Sequence, residues 1–428
     1  MRDKELILYR NFKRQDILDD ISTLINSDKE DVKDGKKLLI SAISRIIELA
    51  VSHGYKGNLW HAFLTYLIAN NENAYSTSCE IKGEVYGSIN KVAIHDFTIF
   101  KEMFDLDISL LDEKYETDCV SLILDYSGVD EKSKMFNKRI RDRICDLSIN
   151  LASASDVDDF KQKVTLFYKE FGVGKFGLHK AFRVEHEDDG VQIIPITNIT
   201  HVQLDDLVGY EIPKQKLIDN TEAFVEGRPA NNCLLFGDAG TGKSTCVKAI
   251  LNQYYDKGLR IIEVYKHQFK DLNEVIAQIK NRNYRYIIYM DDLSFEEFEI
   301  EYKYLKAVIE GGLEKKPDNI LIYATSNRRH IVKESLKDKK DADPDDIHRN
   351  DTVQEKLSLV SRFGVSIFFN RPDKKQFNEI VTVLADRYNI EMDEQELLLE
   401  ANKWELSHGG LSGRCAQQFI DYLRGKNK

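Results

Sequence analysis

The chain has 428 residues, 42% of them hydrophobic and 31% charged, and carries a formal net charge of −11 at pH 7. This length exceeds a single ordinary core and indicates two or three globular domains, while the negative charge disfavours generic electrostatic binding to DNA or RNA. The six cysteines form no Cys-x-x-Cys pair, which argues against a zinc ribbon or a disulfide framework. No run approaches about 20 consecutive apolar residues, so we expect no membrane span and a cytoplasmic location.

The first part of the chain, residues 1–195, is predicted to form a mainly helical domain with a short β segment. Two strand-like stretches, residues 181–185 and 191–196, follow a glycine-rich turn at residues 172–177. No catalytic motif precedes the second part, so we assign this domain to partner binding. Apolar residues recur at helical spacing in residues 38–51, 59–68, 119–126, 135–151 and 157–171.

From residue 198 onward, short apolar strands alternate with amphipathic helices, which predicts a parallel sheet covered on both faces. This α/β core is assigned to residues 196–370. The pattern then becomes helical only, which predicts a helical lid at residues 371–428. The predicted strands are residues 233–236, 260–264, 286–290 and 320–324, and the predicted helices are residues 245–254, 271–280 and 302–311.

A phosphate-binding loop follows the first predicted strand of the core. The segment GDAGTGKS at residues 237–244 fits G-x-x-x-x-G-K-[ST] in full and leads into a predicted helix. Its glycines allow backbone N–H groups to turn around phosphates at a helix N-terminus. Lys243 is expected to contact the β- and γ-phosphates of ATP, and the Ser244 hydroxyl to bind Mg²⁺.

A second acidic element follows the strand at residues 286–290. It delivers Asp291 and Asp292 to the carboxyl end of the sheet, where ligands bind in such folds. We expect Asp291 to hold Mg²⁺ and Asp292 to activate the attacking water. Asp292 reaches about one methylene less far than Glu, so slow turnover, a bridging water or a simple loop-capping role remain alternatives. Glu296 and Glu297 are further candidate bases.

The order of these motifs resembles that of AAA+ ATPases, and the resemblance implies further site residues. Asn327, after the strand at residues 320–324, matches the polar sensor 1 position, with a plain strand-end turn as the alternative. Arg362 matches the arginine finger that completes a neighbouring subunit's site, although a structural ion pair is also open. Arg328 and Arg329 are rival fingers.

The resemblance extends into the lid and the segment before the core. Arg414, at the start of the last helix, matches the sensor 2 arginine that touches the nucleotide. The segment LDDLVG at residues 204–209 resembles the stretch that packs on adenine. The implied nucleotide-binding residues are Val208, Gly209, Gly237, Asp238, Ala239, Gly240, Thr241, Gly242, Lys243, Ser244 and Thr245.

Four strings, at residues 206–211, 291–296, 324–330 and 355–359, also resemble a bacterial family of ATP-binding proteins of unknown function. This second resemblance strengthens the AAA+ assignment and implies no substrate. The AAA+ resemblance itself implies an ATPase that forms homo-oligomers and remodels a macromolecular partner, for which we favour protein over DNA. A nucleotide-dependent switch with negligible turnover is the alternative, because Asp292 departs from the usual glutamate. A P-loop kinase is a third class, which the late helical arrangement fits less well.

Overall fold

The computed structural model describes residues 1–27, 32–128, 136–187, 190–197, 199–295, 301–310, 317–327 and 361–426. The chain divides into two compact units, Met1–His179 and Lys180–Lys428. None of the described helices combines the length and the apolar composition needed to cross a lipid bilayer.

Among its described residues, the first unit is built of helices joined by loops. Its centre is α3, in which all residues except His61 and Asn70 are buried, as expected for a helix surrounded by protein. The helices are α1 (Gln15–Asn26), α2 (Val32–His53), α3 (Leu59–Asn70), α4 (Ala74–Lys82), α5 (Ser88–Asp105), α6 (Leu110–Tyr115), α7 (Ser121–Leu124), α8 (Lys138–Ala152), α9 (Val157–Phe171) and α10 (Gly174–Leu178).

The second unit is built on a mostly parallel sheet with the strand order β2-β1-β4-β5-β6-β3-β7. All seven residues of β6 are buried, which shows that helices cover both faces of the sheet. The strands are β1 (Ala181–Glu187), β2 (Gly190–Pro195), β3 (Cys233–Gly237), β4 (Leu259–Glu263), β5 (Arg285–Met290), β6 (Ile320–Ser326) and β7 (Val365–Phe369), and the helices are α11 (Glu211–Val225), α12 (Lys243–Tyr254), α13 (Leu272–Ile279) and α14 (Glu301–Glu310).

Three helices with their own apolar core follow β7: α15 (Lys374–Arg387), α16 (Glu394–Ser407) and α17 (Gly413–Lys426). The first begins after Pro372, where Asp373 and Gln376 form a reciprocal capping box. The predicted fold class, an AAA+-type α/β core with a C-terminal helical lid, preceded in the sequence by a mainly helical part, is confirmed.

The hairpin of β1 and β2 lies in the sheet of the second unit, whereas the sequence pattern grouped residues 181–195 with the N-terminal domain. The reason is strand pairing: β1 runs parallel to β4, with Phe182 opposite Ile262. β2 pairs only with β1 among the described strands, in antiparallel register, and forms one edge of the sheet.

One buried carboxylate organises the start of the first unit. Asp96 on α5 is fully buried and accepts the backbone N–H groups of three consecutive residues, Ile7, Leu8 and Tyr9, at 2.7–3.1 Å. The Tyr9 hydroxyl in turn lies 3.0 Å from that of Tyr168 on α9. The irregular N-terminal segment is therefore fixed against two helices by polar contacts inside the core.

Replacing Asp96 with alanine should destabilise the first unit by about 2–4 kcal/mol, because three backbone N–H groups, all at least partly buried in these bonds, lose their acceptor. Urea unfolding followed by the emission of Trp60, in a Trp404→Phe background, measures this loss. Asp105→Ala is the matched control, since Asp105 lies on the same helix in an exposed ion pair with Lys101 and should change stability little. Equal effects of the two substitutions would contradict the anchoring role of Asp96.

Candidate functional site

The loop between β3 and α12 follows a path that requires glycine at two positions. Gly237 has φ +135°, and a Cβ there would lie 2.0 Å from the carbonyl oxygen of Phe369 at the end of β7. Gly242 has φ +91°, and a Cβ there would lie 2.3 Å from Cδ1 of Leu207. Residues with side chains disfavour such backbone angles, and at Gly237 the contact with the backbone would also block a Cβ, so the loop geometry depends on both glycines.

Lys243 is the first residue of α12, and its ammonium group is surrounded by oxygens. It donates to the backbone carbonyls of Gly237 at 2.9 Å and Asp238 at 2.6 Å, and to Oδ1 of Asn327 at 3.1 Å. Burial lowers the pKa of Lys243, although neighbouring carboxylates, that of Asp238 foremost, oppose the shift. The lysine thus joins the loop to the residue that follows β6.

Asp291, directly after β5, gathers four donors on a single oxygen, Oδ1. The hydroxyls of Ser244 and Tyr289 donate at 2.7 Å, that of Thr325 at 2.5 Å, and the backbone N–H of Asp292 at 3.2 Å. Burial favours a higher pKa for Asp291, but these hydrogen bonds outweigh it and hold the pKa below its usual value. The carboxylate is therefore ionised at neutral pH and lies beside the Ser244 hydroxyl.

Asp292 has a left-handed backbone conformation, with φ +49°. Its N–H donates to Thr325 Oγ1 at 2.9 Å, and its Oδ1 accepts from the Asn327 side-chain amide at 2.6 Å. Aspartate adopts left-handed angles more readily than most residues with a side chain. The backbone angle therefore suits the residue that stands where related sites carry glutamate.

A cavity of about 830 Å³ unites most of the predicted site. Four of the predicted residues are absent from its lining: Gly209, Gly237, Asp238 and Arg362. The predicted residues that line the cavity are Val208, Ala239, Gly240, Thr241, Gly242, Lys243, Ser244, Thr245, Asp291, Asp292, Asn327 and Arg414.

Further lining residues come from parts of the chain that carry no motif. Ile380, Leu384 and Tyr388 give the cavity an apolar wall on the lid side, and Val202 contributes from the segment before the core. Arg387, also in the lining, donates to the backbone carbonyls of Asp205 and Asp206 at 3.0 and 3.1 Å. The apolar spacing of α15 predicts its helix, but not which residues face the cavity.

Two polar residues of the Asp291 network were missed as functional candidates. Tyr289 precedes Asp291 by two residues, and strand periodicity places both side chains on one face, which is a usable signal. Thr325 lies in the strand-end string, but only its contact with the neighbouring strand reveals its role.

Arg362 lies away from the cavity of its own chain. It precedes β7, whose first residue Val365 pairs with Cys233, the first residue of β3. Because the strands are parallel, Arg362 is near the amino edge of the sheet, opposite the edge that carries the phosphate loop. Its guanidinium forms an ion pair with Glu310 at the end of α14. The alternative candidates Arg328, Arg329, Glu296 and Glu297 lie outside the described residues.

Removing the Thr325 hydroxyl tests the Asp291 network. Because the folded-state pKa of Asp291 is depressed, its contribution to stability is present above the unfolded pKa, about 3.9, and is lost as pH falls through the folded value. Thr325→Val should therefore cost about 1 kcal/mol at pH 7, a modest figure since Asp291 is partly exposed, and less below about pH 4. Urea unfolding across pH measures the difference, and Thr325→Ser is the control that keeps the hydroxyl. A loss independent of pH would contradict this assignment.

Comparison with solved structures returns RuvB of Thermotoga maritima several times. Two RuvB mutants match with 17% and 18% identity and TM-scores of 0.38 and 0.37, over 53% of this chain in each case. A third structure, titled as the RuvB Holliday junction branch migration motor, matches with 14% identity, a TM-score of 0.32 and coverage of 52% of this chain and 72% of RuvB. The chain spans slightly less than two thirds of the two mutants, 65% and 66% of their lengths. At these TM-scores the likeness supports no conclusion about function.

Comparison with protein families gives a match over more than half of the chain. A search of curated proteins finds none that matches this chain in sequence. The family described as "Protein of unknown function (DUF815)" matches residues 177–427, which include the whole sheet, the phosphate loop and the lid. Because this match spans more than half of the chain, the chain belongs to this family.

Proposed function

We propose that this protein binds ATP with Mg²⁺ and hydrolyses it at sites shared between subunits, to remodel a macromolecular partner. The observation that carries the proposal is the convergence of Lys243, the Ser244–Asp291 pair and the Asn327–Asp292 pair on one cavity that the lid also lines. These residues come from three separate segments, and no single motif could account for their meeting.

The phosphate loop and its neighbours fit a nucleotide. Lys243 would exchange its carbonyl contacts for phosphate oxygens, and the glycines of the loop allow its N–H groups to turn toward the same phosphates. A hydroxyl and an ionised carboxylate 2.7 Å apart, from Ser244 and Asp291, are the hard oxygen ligands that Mg²⁺ prefers. Mg²⁺ bound there would neutralise negative charge on the phosphates. The apolar wall from α15 suits the adenine ring of a nucleotide.

Asp292 is the proposed general base for the attacking water. It is exposed to the cavity, and Asn327 holds its carboxylate through a 2.6 Å hydrogen bond. The same observation favours a second candidate function, a nucleotide-dependent switch with little turnover. A short carboxylate that is engaged by Asn327 reaches less far toward a water than a free glutamate would.

Arg362 is the proposed finger supplied to a neighbouring subunit. Its place near the amino edge of the sheet keeps it from its own site, so a role in hydrolysis requires a second copy of the chain. Arg328 and Arg329 remain rival candidates. The first unit is the proposed partner-binding part, and the net charge of −11 favours protein over nucleic acid as the partner.

Steady-state ATP hydrolysis as a function of protein concentration tests the proposal. Turnover per subunit should rise with concentration, because sites completed between subunits form only on association. Lys243→Ala should abolish tight ATP binding and turnover, whereas Lys248→Ala, an exposed lysine on the same helix, should leave both unchanged. ATP binding without turnover at any concentration would favour the switch. Undiminished ATP affinity in Lys243→Ala would overturn the phosphate-loop assignment.

Arg362→Ala should keep ATP affinity and lower turnover by roughly 10³-fold or more, the range for arginine fingers. Mixing it with Asp292→Asn should restore activity, since mixed interfaces combine an intact base with an intact finger. Glu310→Gln is the control, because it breaks the same ion pair and keeps the arginine. A loss of similar size in Glu310→Gln, or no restoration at any mixing ratio, would contradict the shared site.

A further inference from the structure

The phosphate loop is joined to the loop before α17 through Arg371, which no motif singles out. We propose that Arg371 is a positioning residue that holds Arg414 over the nucleotide. This inference rests on the proposed ATP site and adds to it a route by which the lid and the phosphate loop are kept in register.

Arg371 contacts the phosphate loop through its backbone. Its N–H donates to Oδ2 of Asp238 at 3.0 Å. The N–H of Asp238 donates to the carbonyl of Phe369, the last residue of β7, at 3.2 Å. These two bonds fix the chain that leaves β7 against the second residue of the loop, so Arg371 has a defined origin relative to the phosphates.

The side chain of Arg371 reaches the lid. Nε donates to the carbonyl of Leu411 at 3.1 Å, and Nη2 donates to that of Gly409 at 3.3 Å. The intervening Gly410 has φ +84°, and a Cβ there would lie 1.7 Å from Nη2. The absence of a side chain at residue 410 is therefore what admits the guanidinium.

The held loop leads directly to Arg414. Ser412 caps the start of α17 by accepting the N–H of Cys415 at 3.1 Å. The N–H of Arg414 donates to the carbonyl of Gly240 at 3.2 Å, and its side chain lines the cavity. The contacts form a closed ring that runs from the phosphate loop through Arg371 and the lid back to the phosphate loop.

The hydrogen bonds from Arg371 to the two carbonyls are exposed to solvent. Water can replace a lost donor there, so removal of the side chain should cost little folding stability. What is lost is the fixed orientation of the loop and, with it, the placement of Arg414. The consequence should appear in nucleotide affinity and not in the melting temperature.

A double-mutant cycle on ATP affinity, measured by calorimetric titration of the full chain, tests the inference. Arg371→Ala and Arg414→Ala should each weaken ATP binding about tenfold, the scale of a charged hydrogen bond. The double variant should match Arg414→Ala within about twofold, because a positioning residue has no effect once its target is gone. Arg371→Lys, whose ammonium can donate to both carbonyls, should recover most of the affinity.

A spectroscopic readout accompanies the cycle. Trp404 stacks on His408 with ring centroids 3.8 Å apart, immediately before Gly409. Arg371→Ala should shift the Trp404 emission, while Lys375→Ala, an exposed cation at the start of α15, should not. A Trp404→Phe variant separates the emission of Trp404 from that of Trp60, the other tryptophan of the chain.

The outcomes separate the inference from the proposed function. Wild-type protein that binds no ATP would overturn both. Wild-type protein that binds ATP, with Arg371→Ala unchanged or with a double variant about a hundredfold weaker, would overturn the role of Arg371 and leave the ATP site standing. A melting temperature lowered by more than about 5 °C in both Arg371 variants would also refute positioning in favour of a structural role.

Discussion

A single carboxylate oxygen holds the candidate site together. Oδ1 of Asp291 is the meeting point of hydroxyls from α12, β5 and β6 and of the following backbone N–H. Ser244 fixes the first turn of α12 and hence the end of the phosphate loop. Thr325 fixes the end of β6 and hence Asn327 two residues later. A partly buried charge that lost these donors would carry a desolvation cost without compensation, so the three elements are constrained to remain together.

The lid and the segment before the core are attached to this centre by a different chemistry. Arg371 and Arg387 both direct their guanidinium groups at backbone carbonyls. A carbonyl satisfies a donor without cancelling the charge. Arg387 also forms an ion pair with the Asp206 carboxylate at 3.4 Å, whereas among the described residues no carboxylate side chain pairs with Arg371. Positive charge is thereby kept near the phosphate loop in a protein whose net charge is negative. The local placement of cations, and not the net charge of the chain, makes this cavity suitable for an anion.

The sequence predicted the parts of the site that depend on short spacing. The phosphate loop, the two aspartates after β5 and Asn327 follow strands whose ends are visible in the apolar pattern, and the structure brings them together. Their catalytic and binding roles stay predictions. Pairing between distant strands leaves no such pattern, which is why the place of β1 beside β4 was missed. Arg371 was missed for the same reason, since its partners lie about 130 residues before it and 40 residues after it.

The first unit shows the same limit in a helical setting. Amphipathic spacing predicted α2, α3, α8 and α9, but α5 was not recognised, and neither was the role of Asp96 on it. A buried aspartate that accepts three N–H groups looks, in sequence, like any polar residue on the exposed side of a helix. Only tertiary packing distinguishes the two.

The left-handed backbone at Asp292 has a consequence for engineering. A designer who wished to install the usual glutamate would lengthen the side chain and, in the same step, ask a less tolerant residue to keep φ near +49°. The longer side chain would also have to keep the hydrogen bond from Asn327 or lose it. Exchanging one acid for another would therefore not be enough to raise turnover. The turn at Asp292 and the position of the Asn327 amide would have to be redesigned together.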